Sequence, residues 1–348
     1  MEVFALTRPY TIAFKHVTGV ENLIVSLRTV SGLLGLGAAS PEPHVTGETV
    51  EVCRAALLDG ALDWLIGIDI RELPALVRQL KVRMPTAPAA RAAVDMALHD
   101  LLAQHLGVPL VRMLGQVHDR LPTSITIGIK PTIAEALEEA HEYLGRGFRI
   151  LKVKVGHDLG QDVELLARLR EQVGKHIPLR IDPNQGYTVH EVERFMELTA
   201  PLDLELLEQP LRAEDTDGLR SLSAAVRLRI AVDESLLDEQ DALALLTPPP
   251  ACGIFNIKLM KCGGIAPALR IAAMAEVAGI KLMWGCMDES VISIAAALHA
   301  ALASPATHYL DLDGSLDLAR DVADGGFVLE DGCLTTREVP GLGVHLLE

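Results

Sequence analysis

From about residue 123 the chain alternates short apolar runs with stretches of helical period. The runs are "SITIGI", "RILKVKV", "PLRID", "LELLE", "RIAVDE", "GIFNIKL", "KLMWGC" and "YLDLDG". Eight strand-like runs separated by seven helices predict parallel βα units. Near-continuous apolarity in the strands predicts a sheet covered on both faces. Eight units in a row suggest a closed barrel, with no clear eighth helix after the last strand.

The first hundred residues read differently, as a small α+β unit. "ENLIVSLRT" alternates as a strand, Gly32, Gly35 and Gly37 are read as breaks, and helices are expected near 50–60 and 73–83. "PAARAAVDMALHDLLAQHLG" predicts one long helix stopped by Gly107 and Pro109, with a short helix behind it. Asp95, His99 and Asp100 in that helix read as capping or pairing groups rather than catalysts. The tail "GGFVLEDGCLTTREVPGLGVHLL" reads as short strands rejoining the N-terminal unit. The expected fold is a (β/α)7β TIM-like barrel with an α+β capping domain: residues 1–115 in the cap, 116–318 in the barrel, 319–348 returning to the cap.

One strand departs from the apolar pattern. In "RILKVKVG", Lys152 and Lys154 sit at alternate positions and so share a face. Alone, this suits an edge strand guarded by lysines. The other strands also end on charge, however: Asp182, Glu208, Asp233 with Glu234, Lys258, Asp288 with Glu289, and Asp311 with Asp313. Such strand ends converge on one mouth of a barrel, where active sites sit. Single acids there are usually helix caps; three on consecutive strands, flanked by lysines, are harder to explain that way.

Carboxylates without His or Cys are hard oxygen ligands, suited to one octahedral Mg²⁺ per subunit, with Mn²⁺ also acceptable. A lysine near a second cation in a desolvated pocket loses its proton more easily. Lysines on strands either side of the ligands can serve opposite faces of one carbon, as a 1,1-proton transfer through a metal-stabilised enediolate requires.

Composition narrows the partners. The 348 residues carry 31 basic and 47 acidic side chains, a net charge of −16. That argues against nucleic acid and anionic membranes and favours cationic ligands. Five cysteines without paired spacing suit a reducing, cytoplasmic setting, and no leader or bilayer-length apolar run is evident.

Five motifs in barrel order, "LKVKVG", "RIDPNQGY", "LLEQPL", "AVDES" and "NIKLMKCGG", resemble the enolase superfamily and within it the muconate-lactonising subgroup. Superfamily sites with a lysine base and Mg²⁺ are a known pattern. The resemblance implies Lys154 and Lys258 as bases, Asp182, Glu208 and Asp233 as metal ligands, and Lys152, Asn184 and Glu234 in support. "WGCMDES" and "YLDLDG" resemble the dipeptide epimerases, where a DxD pair holds the substrate's α-ammonium group. That implies Asp311 and Asp313 for the ammonium, and Cys286 and Met287 as substrate contacts. An Asp-Gly turn would account for Asp313 but not for Asp311.

The departures bear on specificity. The first strand of the cap is expected to be short or missing, and Lys15 stands where many relatives with acidic substrates carry arginine. Asp288 lies where the resemblance suggests an uncharged residue, and Glu42 lies in a cap loop able to reach the mouth. Both would favour Lys- or Arg-containing dipeptides, unless Asp288 only caps the next helix and Glu42 is only exposed. The expected function is Mg²⁺-dependent epimerisation of a dipeptide's C-terminal residue, with a symmetric homo-oligomer expected by analogy. The alternatives are an Ala-Glu or hydrophobic dipeptide epimerase, a cycloisomerase or o-succinylbenzoate synthase of the same subgroup, a Schiff-base aldolase, and a non-catalytic peptide-binding barrel.

Overall fold

The computed structural model describes residues 1–12 and 15–347, without the side chains of residues 9–16. Strands β1 (Glu2–Ile12), β2 (Lys15–Arg28) and β3 (Leu34–Ala39) form an antiparallel sheet in that order. The first strand is thus neither short nor missing: it runs eleven residues and pairs with β2 from Glu2 opposite Asn22. Alternation provides the reason, because Phe4 and Leu6 point inward and pack with Val17 and Leu318.

Helices α1 (Val50–Leu57), α2 (Leu73–Arg83), α3 (Pro88–Leu106) and α4 (Leu110–Leu114) complete this capping domain. Helix α3 is apolar nearly all round and is correspondingly buried. Contrary to the sequence expectation of chain breaks, Gly35 and Gly37 lie inside β3. A Cβ on Gly37 would stand 1.8 Å from the carbonyl oxygen of Ala93, so glycine lets the strand lie directly on α3. Asp100 of α3 accepts the backbone N–H of Leu36 at 2.9 Å and that of Leu342 at 2.8 Å. Asp95 accepts the N–H of Ile265 at 2.6 Å. Both acids are structural anchors, as their setting in an apolar helix implied.

After the short strand β4 (Leu121–Pro122) come β5 (Ile125–Ile127), β6 (Leu151–Lys154), β7 (Leu179–Asp182), β8 (Leu206–Glu208), β9 (Ile230–Val232), β10 (Ile254–Ile257), β11 (Lys281–Gly285) and β12 (Thr307–Asp311). These last eight pair in sequence order and in parallel. A parallel bridge between Thr123 and Leu310 closes the ring. The helical layer comprises α5 (Ile133–Gly145), α6 (Leu159–Val173), α7 (Val189–Leu198), α8 (Thr216–Ser221), α9 (Ala224–Arg227), α10 (Glu239–Leu246), α11 (Leu259–Cys262), α12 (Ile265–Ala278) and α13 (Val291–Leu302). Only a 3-10 turn, Gly314–Asp317, follows the last barrel strand. Among the described residues no helix is long and apolar enough to cross a membrane.

The tail forms β13 (Ala323–Gly325), β14 (Phe327–Glu330), β15 (Cys333–Thr336) and β16 (Val344–Leu346). Strand β13 pairs with β16, and the β14–β15 hairpin pairs with β4. The Gly341 carbonyl accepts the N–H of Leu110, which ties the tail to α4.

Alternation inside the barrel explains the two lysines. Leu206, Ala231, Ile254 and Met283 face inward low in the ring and cluster with Tyr309. Two residues further along their strands, the same inward face carries Glu208, Asp233, Asn256, Gly285 and Asp311. Lys152 and Lys154 belong to that face, whereas Leu151 and Val153 point outward into the helical layer. The strand is central, with β5 and β7 on either side, and its charges line the barrel rather than a solvated edge.

Candidate active site

A cavity of about 500 Å³ lies at the C-terminal mouth of the barrel, under the capping domain. Lys152 and Lys154 of β6 enter it together with Asp233, Glu234 and Lys258 from β9 and β10. Strands β6 and β10 stand four places apart in a ring of eight, so Lys154 and Lys258 approach from opposite walls.

The carboxylates are gripped by ammonium groups. Lys152 Nζ lies 2.7 Å from Asp311, 2.8 Å from Glu208 and 3.1 Å from Asp182. Lys154 Nζ donates to Asp182 at 2.6 Å, and Lys258 Nζ lies 2.7 Å from Asp233. Asp182 also accepts the backbone N–H of Asn184, whose φ of 44° turns the chain back over the strand end. Gly156 and Gly186 let the loops after β6 and β7 interlock there, since a Cβ on Gly156 would stand 2.3 Å from the Pro183 carbonyl oxygen.

These pairs set the charge states. Burial opposes the charge on Lys152, but Asp311, Glu208 and Asp182 outweigh it and raise its pKa. Burial likewise opposes the charge on Lys258, and Asp233 overrides it. Glu208 is pushed upward by burial and by Asp182. The Asp233 carboxyl resists burial because Lys258 and Lys261 hold it ionised, well below the usual carboxylate range.

Among the described residues no three acidic, His or Cys side chains converge as a ready-made metal nest, because Asp182, Glu208 and Asp233 turn onto lysines. Their surroundings nevertheless fit a hard cation. Asn184 Oδ1, Glu208 Oε2 and Glu234 Oε2 are buried acceptors lacking a hydrogen-bond donor. Glu208 Oε2 lies within ion-pair distance of Lys152 yet off hydrogen-bond geometry. Oxygen acceptors without donors beside three carboxylates form the donor set that a divalent ion such as Mg²⁺ takes.

Asp311 and Asp313 enter the same cavity from the end of β12. Asp311 accepts from Ser124 Oγ at 2.6 Å and Asp313 accepts the N–H of Thr126 at 2.8 Å. Cys286 and Met287 line the wall beside them. Asp288 is a further lining residue, nine-tenths buried. It does not cap the next helix; Ser290 does, accepting from the N–H of Ile292. Glu42, half-buried, lines the cavity from the cap together with Pro41 and Pro43. The side chain of Lys15 lies outside the described residues.

Several participants were not evident from sequence. Lys261 is fully buried against Asp233, and Asn256 Nδ2 donates to Glu208 at 2.9 Å. Gln209 Oε1 accepts the N–H of Asp233 at 2.9 Å. Glu139 and Asp317 also line the cavity near Asp313. For Lys261 the signal was the K-x-x-K spacing of "KLMK", which returns a second lysine to the face of the first after one helical turn. The polar Asn256 in an otherwise apolar strand and Gln209 just after β8 were the other readable marks.

Residues 1–115 match the mandelate racemase / muconate lactonizing enzyme N-terminal domain, and residues 135–348 match the enolase C-terminal domain-like family. The chain is 64% identical to the L-Lys-D/L-Arg epimerase of Methylococcus capsulatus over 99% of its own length and 96% of that protein's. It is 35% identical to the L-Ala-D/L-Glu epimerase of Bacillus subtilis, over 97% and 93% of the two chains. The crystal structure of the Methylococcus capsulatus dipeptide epimerase complexed with Mg and the dipeptide L-Arg-D-Lys superposes with a TM-score of 0.97, covering 99% of this chain and 97% of that one. The protein therefore belongs to the mandelate racemase / muconate lactonizing enzyme family of the enolase superfamily, among relatives that are dipeptide epimerases.

Proposed function

We propose that this protein is a Mg²⁺-dependent epimerase of cationic dipeptides, which inverts the α-carbon of the C-terminal Lys or Arg residue. What supports this reading is that Lys154 and Lys258 line one cavity from strands four places apart, with Asp182, Glu208 and Asp233 at the ends of the three intervening strands. The likeness to L-Lys-D/L-Arg epimerases of Methylococcus capsulatus and Desulforapulum autotrophicum, at 64% and 54% identity, supports the substrate class.

Asp182, Glu208 and Asp233 would hold the cation, with Asn184 and Glu234 offering their unpartnered oxygens around it. When bound, Mg²⁺ would supply positive charge that offsets these carboxylates and the charge developing on the substrate carboxylate. One of Lys154 and Lys258 then removes the α-proton from its side, and the other delivers a proton to the opposite face. Lys152 stays locked among three carboxylates and holds the strand ends in place. Asp311 and Asp313 take the substrate's α-ammonium, beside Cys286 and Met287. Asp288 and Glu42 receive the cationic side chains, and neither tolerates an acidic one in a partly dry pocket. The capping-domain residues over the mouth keep water away while the α-carbon is deprotonated.

The test is proton exchange. With Mg²⁺ and an L,L-dipeptide of Lys and Arg in D₂O, deuterium should enter the C-terminal α-carbon and the L,D isomer should accumulate. Lys154→Ala and Lys258→Ala should each abolish epimerisation while one stereoisomer still exchanges; unimpaired epimerisation in either variant would refute the scheme.

A further inference from the structure

Lys261 has no part in the proton transfers just described, yet it is among the most constrained charged groups in the barrel. Its side chain is 3% exposed. Its ammonium donates to the Asp233 carbonyl at 2.6 Å, to the Asn256 carbonyl at 3.1 Å and to Asp233 Oδ1. An ammonium has three donors, and all three are spent. Two of the three partners belong to Asp233, one on its backbone and one on its side chain, so Lys261 fixes the carboxylate relative to its own strand. The other oxygen, Oδ2, faces Lys258 at 2.7 Å. The two oxygens of one carboxylate are thereby divided: Oδ1 is held from beneath, and Oδ2 is presented to the cavity beside Lys258.

We propose that Lys261 is a positioning residue for the reaction: it locks the Asp233 carboxylate so that one oxygen serves the cation while the position of Lys258 is preserved. The local chain explains how. Lys258 lies between β10 and the single turn α11, at the N-cap position, and Lys261 lies three residues on, where the turn brings its side chain back to the same aspartate. Asn256, two residues before Lys258, supplies the third acceptor through its carbonyl and holds Glu208 through its side chain. One short segment, Asn256 to Lys261, thus orients two of the three candidate ligands and carries one of the two candidate bases.

The inference rests on the reading of Lys154 and Lys258 as the two proton-handling groups, and its consequence is asymmetric. Without Lys261 the Asp233 carboxylate can rotate, which disturbs the cation and the Lys258 wall but not the Lys154 wall across the barrel. Lys261→Met keeps the length and apolar stem of the side chain, and Lys261→Gln keeps a neutral, shorter amide NH₂ donor group. Mg²⁺ affinity of each variant is to be measured by titration calorimetry without substrate, and α-deuterium exchange of the L,L and L,D isomers separately at saturating Mg²⁺. Mg²⁺ affinity is expected to fall by about 10–100-fold in Lys261→Met and less in Lys261→Gln, as outer-shell partners of metal ligands usually show. Exchange of the isomer lost in Lys258→Ala should fall at least tenfold more than exchange of the isomer lost in Lys154→Ala. Unchanged Mg²⁺ affinity, equal slowing of both isomers, or failure of both variants to fold would each overturn the assignment, the last by placing Lys261 in the fold rather than the site. If Lys258→Ala itself exchanges both isomers normally, the two-lysine reading falls, and a loss of Mg²⁺ affinity in Lys261→Met would still stand.

Discussion

Lys152 and Asp311, 159 positions apart in the chain, meet at 2.7 Å inside the barrel. The same ammonium lies 2.8 Å from Glu208. One lysine thus links the acids proposed to hold the cation with the pair proposed to hold the substrate's ammonium. Removing one partner of a buried ionic network leaves uncompensated charge, at a cost of about 3–5 kcal/mol. We predict that Lys152→Met loses that much stability in urea unfolding and slows α-proton exchange at least a hundredfold. Wild-type stability in the variant would show that Lys152 is not the link described.

A second prediction concerns specificity. Asp288→Asn and Glu42→Gln each remove a carboxylate from the cavity wall and leave its shape nearly intact. Each is expected to lower kcat/KM for Lys- or Arg-containing dipeptides about tenfold, roughly the 1.4 kcal/mol of one partly screened charge contact, and to leave L-Ala-L-Glu unchanged or improved. Should L-Ala-L-Glu be the better substrate of the wild type, the cationic assignment is wrong and the epimerase assignment survives.

Metal removal gives the third. A ligand that binds only the folded state stabilises it by about 2.7 kcal/mol at a concentration one hundred times its Kd. Mg²⁺ should therefore raise the unfolding temperature in a concentration-dependent way, and excess EDTA should abolish exchange. In Asp182→Asn both responses should largely vanish. A thermal shift as large in Asp182→Asn as in the wild type would remove Asp182 from the ligand set.

Much of this architecture was legible in the sequence because barrels impose two periods at once. The βα repeat fixes which residues reach the mouth, and the strand period fixes which face inward; Lys152, Lys154, Asp182, Glu208, Asp233 and Lys258 satisfy both. What was not legible depended on local geometry rather than period. Gly35 and Gly37 read as chain breaks because glycine is ambiguous in isolation; only the contact with α3 shows that they shorten a distance. Asp288 read as a possible cap, but the bend after β11 passes that role to Ser290. The ion pair of Lys152 with Asp311 depends on ring closure, which no linear pattern specifies; the K-x-x-K spacing marks Lys261 as sharing a face with Lys258 but does not name Asp233 as its partner.

The last prediction tests the joint between barrel and cap through pH. His299 of α13 is completely buried: its Nδ1 accepts the N–H of Val111 at 2.9 Å, and its Nε2 lies 3.3 Å from the Leu342 carbonyl, to which it donates. Those two bonds define a neutral ring that joins α13 to α4 and to the tail. A second proton would land on Nδ1, facing a donor. Burial holds the pKa at about 4, against a slight opposing pull from the Leu342 carbonyl. The unfolded chain has the ordinary value near 6.5. Between about pH 6.5 and 4 the unfolded state therefore binds the extra proton, and stability falls as pH falls through that window. The depression corresponds to about 3 kcal/mol, present in full above pH 6.5 and lost by pH 4. His299→Gln preserves one acceptor and one donor but cannot titrate. At pH 7 it should be less stable than the wild type, because the shorter side chain meets Val111 and Leu342 imperfectly. Between pH 7 and 4.5 the difference should shrink by about 2 kcal/mol, because only in the wild type does proton uptake at His299 favour the unfolded state. Urea unfolding of both proteins at pH 7.0, 5.5 and 4.5, without Mg²⁺, measures this directly; parallel pH–stability curves would mean that His299 does not couple protons to the barrel–cap joint.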